Sequence, residues 1–220
     1  MVSIALVLGD RSKNLAANVA ANVAANVAAN VPAARNLSTV SVVDTGLRLA
    51  DSEGMSAVTL GRIARELGCH VTSLYTHVES IDDLHMRMAV QVQHDLGQQL
   101  WHAALGRSGV DALRALAAVY RGFGEARPVR TWLLFAMTAK ADQRFRDGAV
   151  FLVEPIRATL RSFGLEEHQV VHAHRSFSAS MRGFLLAEAQ GAYGDDADAT
   201  FENVVELYTL ALGRGDWPVP

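Results

Sequence analysis

From Leu37 onward, apolar residues return every three or four positions, and no segment alternates strictly between apolar and polar. That spacing gives a helix one buried stripe and gives no strand an inner face. Ser38 or Thr39 can cap a first helix reaching about Asp51, with Val43, Leu47 and Ala50 inward and Gly54 free to end it. Thr59 can cap a second, with Ile63, Ala64 and Leu67 inward and Gly68 as its stop. A short helix over about Thr72–His77 follows. Ser80 then caps a long one from Ile81 to about Leu100, with Asp82 and Asp83 in the first turn, where the helix dipole favours acid. Further helices are expected at about 110–126, 129–139, 144–163, 166–190 and 198–213, separated by Pro128, Gly164 and the loop "GAYGDDAD", with Pro155 able to kink the third. The expectation is an all-α chain: a compact three-helix head over 37–84 and a larger helical body over 85–220.

Residues 1–36 read differently. Within them "NLAANVAANVAANVAANV" repeats with period four, which drifts about 40° per repeat on a 3.6-residue helix, so its valines form no stripe. This segment is expected to be a low-complexity arm, dispensable for folding, and it carries no Lys or Arg between Asn14 and Pro32.

Composition narrows the field. Half of the residues are hydrophobic, enough for a sizeable core, and the formal net charge is −3. Coating nucleic acid without sequence preference needs a cationic surface, which this chain lacks; a small local site remains open. The single cysteine, Cys69, forms no intrachain disulfide and suits a reducing compartment. The apolar run Val2–Gly9 has its positive charges after it, the reverse of a secretory signal. No apolar stretch approaches the roughly 18 residues of a membrane span. A cytoplasmic protein with no membrane partner is expected.

The segment "SEGMSAVTLGRIARELGCHVTSLYTHVESIDDL" has the order helix, glycine turn, short helix, the pattern of a helix-turn-helix. Such a unit lays its second helix in the DNA major groove. Leu74 and Val78 are the expected anchors, with Val71 partly so, leaving Thr72, Ser73, Tyr75, Thr76 and His77 outside. Hydroxyls and an imidazole suit phosphate oxygens and base edges. An ordinary three-helix packing unit with a surface Tyr and His is the plainer alternative.

The features "EGMSAVTLGRIARELG", "LYTHV" and "DDL" after a capped helix resemble the DNA-binding head of the tetracycline-repressor (TetR) family, over about residues 37–90. The resemblance implies a homodimer that reads a palindromic double-stranded operator and a body that binds a small-molecule effector and closes the dimer through its last two helices. It implies phosphate contact at Thr59, backbone or base approach by Tyr75, phosphate approach by His77, and operator choice by Thr72, Ser73 and Thr76; Arg62 joins this DNA-binding set. Two positions depart from the family. Ile81 stands where many members place Lys, and Gly61 where the tetracycline repressor uses a basic base-reading residue.

In the body, "HRSFSASMRGFLLAEAQGAYG" resembles the Trp-His-Gly subset of the family, with Arg182-Gly183 in place of its His-Gly pair. Trp101, Tyr120, Phe123, Trp132, Phe135, Phe177, Met181 and Arg182 are candidate ligand-binding residues, since effector pockets are apolar with few polar groups; plain core packing is the competing role for each. His168 and His172 share a helix face but His174 points about 200° away from His172, so no metal site is expected. No catalytic constellation or phosphate loop stands out, and neither enzyme activity nor a cofactor is expected. The reading is a one-component transcriptional regulator, a repressor released by an effector. The alternative, motivated by Ile81, Gly61 and an acidic head, is a homodimeric small-molecule binding protein that has lost DNA recognition.

Overall fold

The computed structural model describes residues 37–138 and 142–214; the repeat arm lies outside them. Among the described residues the chain is helical throughout: α1 Thr39–Glu53, α2 Leu60–Leu67, α3 Val71–Leu74, α4 Ile81–Ala104, α5 Gly109–Ala126, α6 Pro128–Met137, α7 Gln143–Arg161, α8 Glu167–Ala189 and α9 Ala197–Gly213. Short 3-10 turns, Met55–Ala57 and Gly194–Asp196, precede α2 and α9.

The head forms as its caps dictate. Ser38 and Ser41 bond each other's backbone amides at 3.1 and 3.0 Å, closing a capping box on α1. Thr59 accepts from the Arg62 amide at 3.2 Å, and Gly68, at φ 67°, ends α2 in the left-handed region. The expected helix over 72–77 is shorter. Only Val71–Leu74 is helical, and Tyr75–His77 continue as a turn closed by bonds from the His77 and Val78 amides to the Leu74 carbonyl, at 2.8 and 3.0 Å. Burial of both Leu74 and Val78 forces the chain to turn back toward the core at this point.

α4 is the shared element. It packs on α1 of the head and on α5, α6 and α7 of the body, so a division at residue 84 falls within its first turn. α5 also packs on α7, α8 and α9, and α8 on α7 and α9. A Cβ on Gly124 would fall 2.6 Å from a methyl group of Leu185, so at the crossing of α5 and α8 the leucine side chain rests where a β-carbon would stand. Pro155 lies inside α7, which continues past it.

Candidate functional site

The recognition segment is held from beneath and open above. Leu74 and Val78 are 0% and 1% exposed, while Thr72, Tyr75 and Thr76 are exposed and Ser73 and His77 half-buried. Tyr75 is 56% exposed, an unusual cost for an aromatic ring with no partner surface. Val71, expected to share the anchoring, is instead exposed. Thr76 donates to the Ser73 carbonyl at 2.8 Å, leaving its oxygen as an acceptor. The His77 carbonyl accepts from the Thr39 hydroxyl at 3.4 Å, tying the end of the recognition segment to the start of α1. The Thr59 oxygen accepts from a backbone amide, which leaves its hydroxyl proton free to donate.

Arg62 is differently placed from the other six. Its terminal nitrogens bond both oxygens of Glu53 at 3.2 and 2.9 Å, and its Nε bonds Glu66 at 3.0 Å. Its guanidinium is thus held by two carboxylates on the head's own surface. Arg65 and Arg48, which the sequence reading left aside, are exposed and make no ion pair among the described residues. Helical spacing carried part of that signal: Arg62 has Glu66 four residues on, whereas Arg65 has Gly61 and Cys69 at those distances.

Ion pairs join the head to the body. Arg130 of α6 bonds Asp51 of α1 at 2.6 Å and Asp95 of α4 at 3.3 Å. Arg144, at the start of α7, bonds Asp83 at 2.6 Å, and Arg87 bonds the other Asp83 oxygen at 2.9 Å. Burial pushes the Asp83 carboxyl up, but bonds from Arg87, Arg144 and the Glu79 amide outweigh it and hold the group below its ordinary value.

The eight aromatic and polar candidates in the body do not gather in one place. Tyr120, Phe123, Phe177 and Met181 are core, with Phe177 meeting Tyr120 edge-on at a centroid distance of 6.3 Å. Burial pushes the Tyr120 phenol up to about 12, against smaller opposing effects from Arg182 and Ser178. Arg182 lies over the Phe135 ring at 4.5 Å. Phe135 and Trp132 line a small groove of about 80 Å³ with Gly124, Leu185 and Leu186. Trp101 is remote from these, bonding the Phe151 carbonyl through its indole at 3.1 Å and lining a separate groove beside Pro155. Among the described residues no group of three His, Cys, Asp or Glu could hold a metal ion.

A larger apolar groove, about 620 Å³, runs along α8 and α9 between Phe184, Tyr193, Val204, Leu207 and Tyr208. Leu207 is 68% exposed, and Leu186 and Leu210 are also open.

Residues 113–208 match the family model described as "Tetracyclin repressor-like, C-terminal domain". The HTH-type transcriptional regulator Rv0681 of Mycobacterium tuberculosis is 31% identical over 180 residues, 81% of this chain and 83% of that protein. This chain belongs to the TetR-like family of HTH-type transcriptional regulators. The HTH-type transcriptional repressor DrrR1 of Streptomyces coeruleorubidus is 29% identical over 193 residues, covering 81% of this chain and 65% of that one. Among solved structures, ActR of Streptomyces coelicolor, a TetR family protein seen in complex with (S)-DNPA, superposes with a TM-score of 0.65 at 20% identity over 81% of this chain and 98% of that one. No described helix is long and apolar enough to cross a membrane.

Proposed function

We propose that this regulator is a cytoplasmic, non-catalytic repressor that binds a palindromic operator as a homodimer and is released by a small-molecule effector bound in its helical body. The observation that carries the DNA reading is the recognition segment itself, anchored by Leu74 and Val78 and presenting Thr72, Ser73, Tyr75, Thr76 and His77 outward. The similar protein DrrR1 is named a repressor, and ActR, which shares the fold, is seen in complex with actinorhodin. The dimer is supported by the open apolar groove of α8 and α9, which exposed Leu207 lines, and by the exposure of Leu210 three residues further along α9. Two heads then sit about 34 Å apart to read successive major grooves, and an effector that favours another spacing costs operator affinity.

A second reading keeps the dimer and the effector but not the operator. The observation favouring it is Arg62, whose guanidinium is committed to Glu53 and Glu66. Selection of bound fragments from a random DNA pool separates the two. The repressor reading expects a palindrome whose binding weakens steeply with salt. Recovery of no enriched sequence establishes the second reading instead.

A further inference from the structure

Three cations serve the whole head. Over residues 37–84 the only Lys or Arg side chains are Arg48, Arg62 and Arg65, against seven acidic residues. The recognition segment Thr72–His77 has none. Affinity for a duplex comes largely from Lys and Arg displacing counterions from phosphates. With so few cations, the state of each one matters.

Arg62 is held by Glu53 and Glu66. Arg48 has Asp44 four residues before it and Asp51 three residues after it, the spacings at which helical side chains are neighbours. Arg65 has no acid at those spacings. The residues three and four places away are Arg62, Gly61, Gly68 and Cys69. Arg65 is exposed, and its guanidinium makes no hydrogen bond or ion pair among the described residues.

The packing of α2 sets where Arg65 lies. Buried Ile63 and Ala64, with half-buried Leu60 and Leu67, define the inward side of the helix. At 3.6 residues per turn, Arg62 and Glu66 fall on one flank and Gly61 and Arg65 on the other. The first flank meets α1, where Glu53 bonds Arg62 at 2.9 Å. The second is bare: a Cβ on Gly61 would have nothing within 4 Å. Helical side chains lean toward the N-terminus, so Arg65 leans over Gly61. A glycine also allows a ligand to approach the backbone closely. The Arg65 carbonyl accepts from the Gly68 amide at 3.3 Å, which fixes this residue at the turn leading into the recognition segment.

We propose that Arg65 is the principal phosphate-contacting cation of the head, with Gly61 letting the DNA backbone come close to this flank of α2. This rests on the reading that the head binds DNA, and it names a contact that the recognition segment cannot supply.

The test measures affinity for the operator recovered from the random pool, at about 50 to 200 mM salt, with the full chain and exposed-site variants whose fold is checked by circular dichroism. Arg65→Gln is expected to make the slope of log affinity against log salt shallower by about 0.9 per head, and to weaken the best operator and its single-base changes alike. Arg65→Lys keeps the slope, because charge and not fork geometry displaces the counterion. Arg48→Gln keeps it as well. An unaltered slope in Arg65→Gln, an equal fall in Arg65→Lys or Arg48→Gln, or a loss confined to particular bases overturns the proposal. A wild type that enriches an operator yet shows no Arg65 effect loses this contact alone. A wild type that binds no DNA loses the contact and the operator reading together.

Discussion

Arg130 reaches from the body to the head, bonding the Asp51 carboxylate of α1 through Nε at 3.0 Å and through a terminal nitrogen at 2.6 Å. Its other terminal nitrogen reaches Asp95 of α4 at 3.3 Å. The Arg130 side chain is only 12% exposed, so the bridge is more sheltered than an ordinary surface pair. It also lies two residues from Trp132, on the helix whose Trp132 and Phe135 line a groove. Arg130 therefore ties α6 directly to the first helix of the head.

Arg130→Met is expected to lower unfolding free energy by about 1–2 kcal/mol, above the range of exposed pairs and below that of fully buried ones. Urea titration reads this directly. The variant should keep operator binding yet respond less to any effector, because α6 no longer grips Asp51. A variant as stable and as responsive as the parent removes Arg130 from the coupling.

Arg62 is restrained by Glu53 at 2.9 Å and by Glu66 at 3.0 Å. Both carboxylates stand on the head, where phosphates repel them. Glu53→Gln is expected to strengthen operator binding and to steepen its salt dependence, since it removes a negative charge and frees a cation. Ile81→Lys should act in the same direction. Operator affinity at two salt concentrations measures both, and an unchanged salt slope in both variants counts against a phosphate-facing role for this edge of the head.

Tyr75 and His77 are expected to position the recognition segment, while Thr72 and Ser73 choose bases. His77→Ala should weaken binding to all sequences alike. Thr72→Ala and Ser73→Ala should each change the preferred base by about 1–3 kcal/mol per good contact. Affinity on the best operator and on its single-base changes separates these effects. If His77→Ala shifts base preference and Ser73→Ala does not, the assignments are reversed.

The head was the most legible part of the sequence, because local chemistry sets it: Ser38, Thr59 and Ser80 cap the helices that their positions announced. The length of α3 was not legible, since it depends on Leu74 and Val78 both reaching the same core. Nor was the state of Arg62, because Glu53 lies on another helix. In the body, helix positions followed from periodicity, but an aromatic residue carries no local mark of whether it packs or lines a pocket. Phe177 illustrates this: a candidate ligand-binding residue from the sequence, it is fully buried within the chain, edge-on to Tyr208 at 5.4 Å. Gly124 likewise gave no sign that Leu185 would press against it.

Leu207 lines the open α8–α9 groove at 68% exposure, and Leu210, three residues further along α9, is 45% exposed. Contiguous apolar surface of this kind marks an interface. Leu207→Arg is expected to shift the protein from dimer to monomer at micromolar concentration in sedimentation, and to weaken operator binding with it. Because the side chain is mostly exposed, helix content should be preserved. A wild-type protein that sediments as a monomer ends the dimer reading without any variant.

His174 makes stability depend on pH in a window of its own. Its proton affinity is lower in the folded chain, about 4 against an ordinary 6.5, first because of burial and then because Arg157 and Arg175 oppose a further positive charge. Between those two values the unfolded chain binds more protons than the folded one, so stability rises with pH there. The contribution is fully present above about pH 6.5, is lost as pH falls toward 4, and changes no further below that. Asp83, held below its ordinary value, loses its contribution only from about pH 3.8 downward, which keeps the two windows apart. His174→Gln removes the titrating group while keeping a polar side chain. Urea unfolding at pH 7, 6 and about 4.5 should show the wild type losing stability across the series and the variant losing measurably less. Parallel curves for the two proteins would mean that His174 reaches water in solution and takes up its proton as freely folded as unfolded.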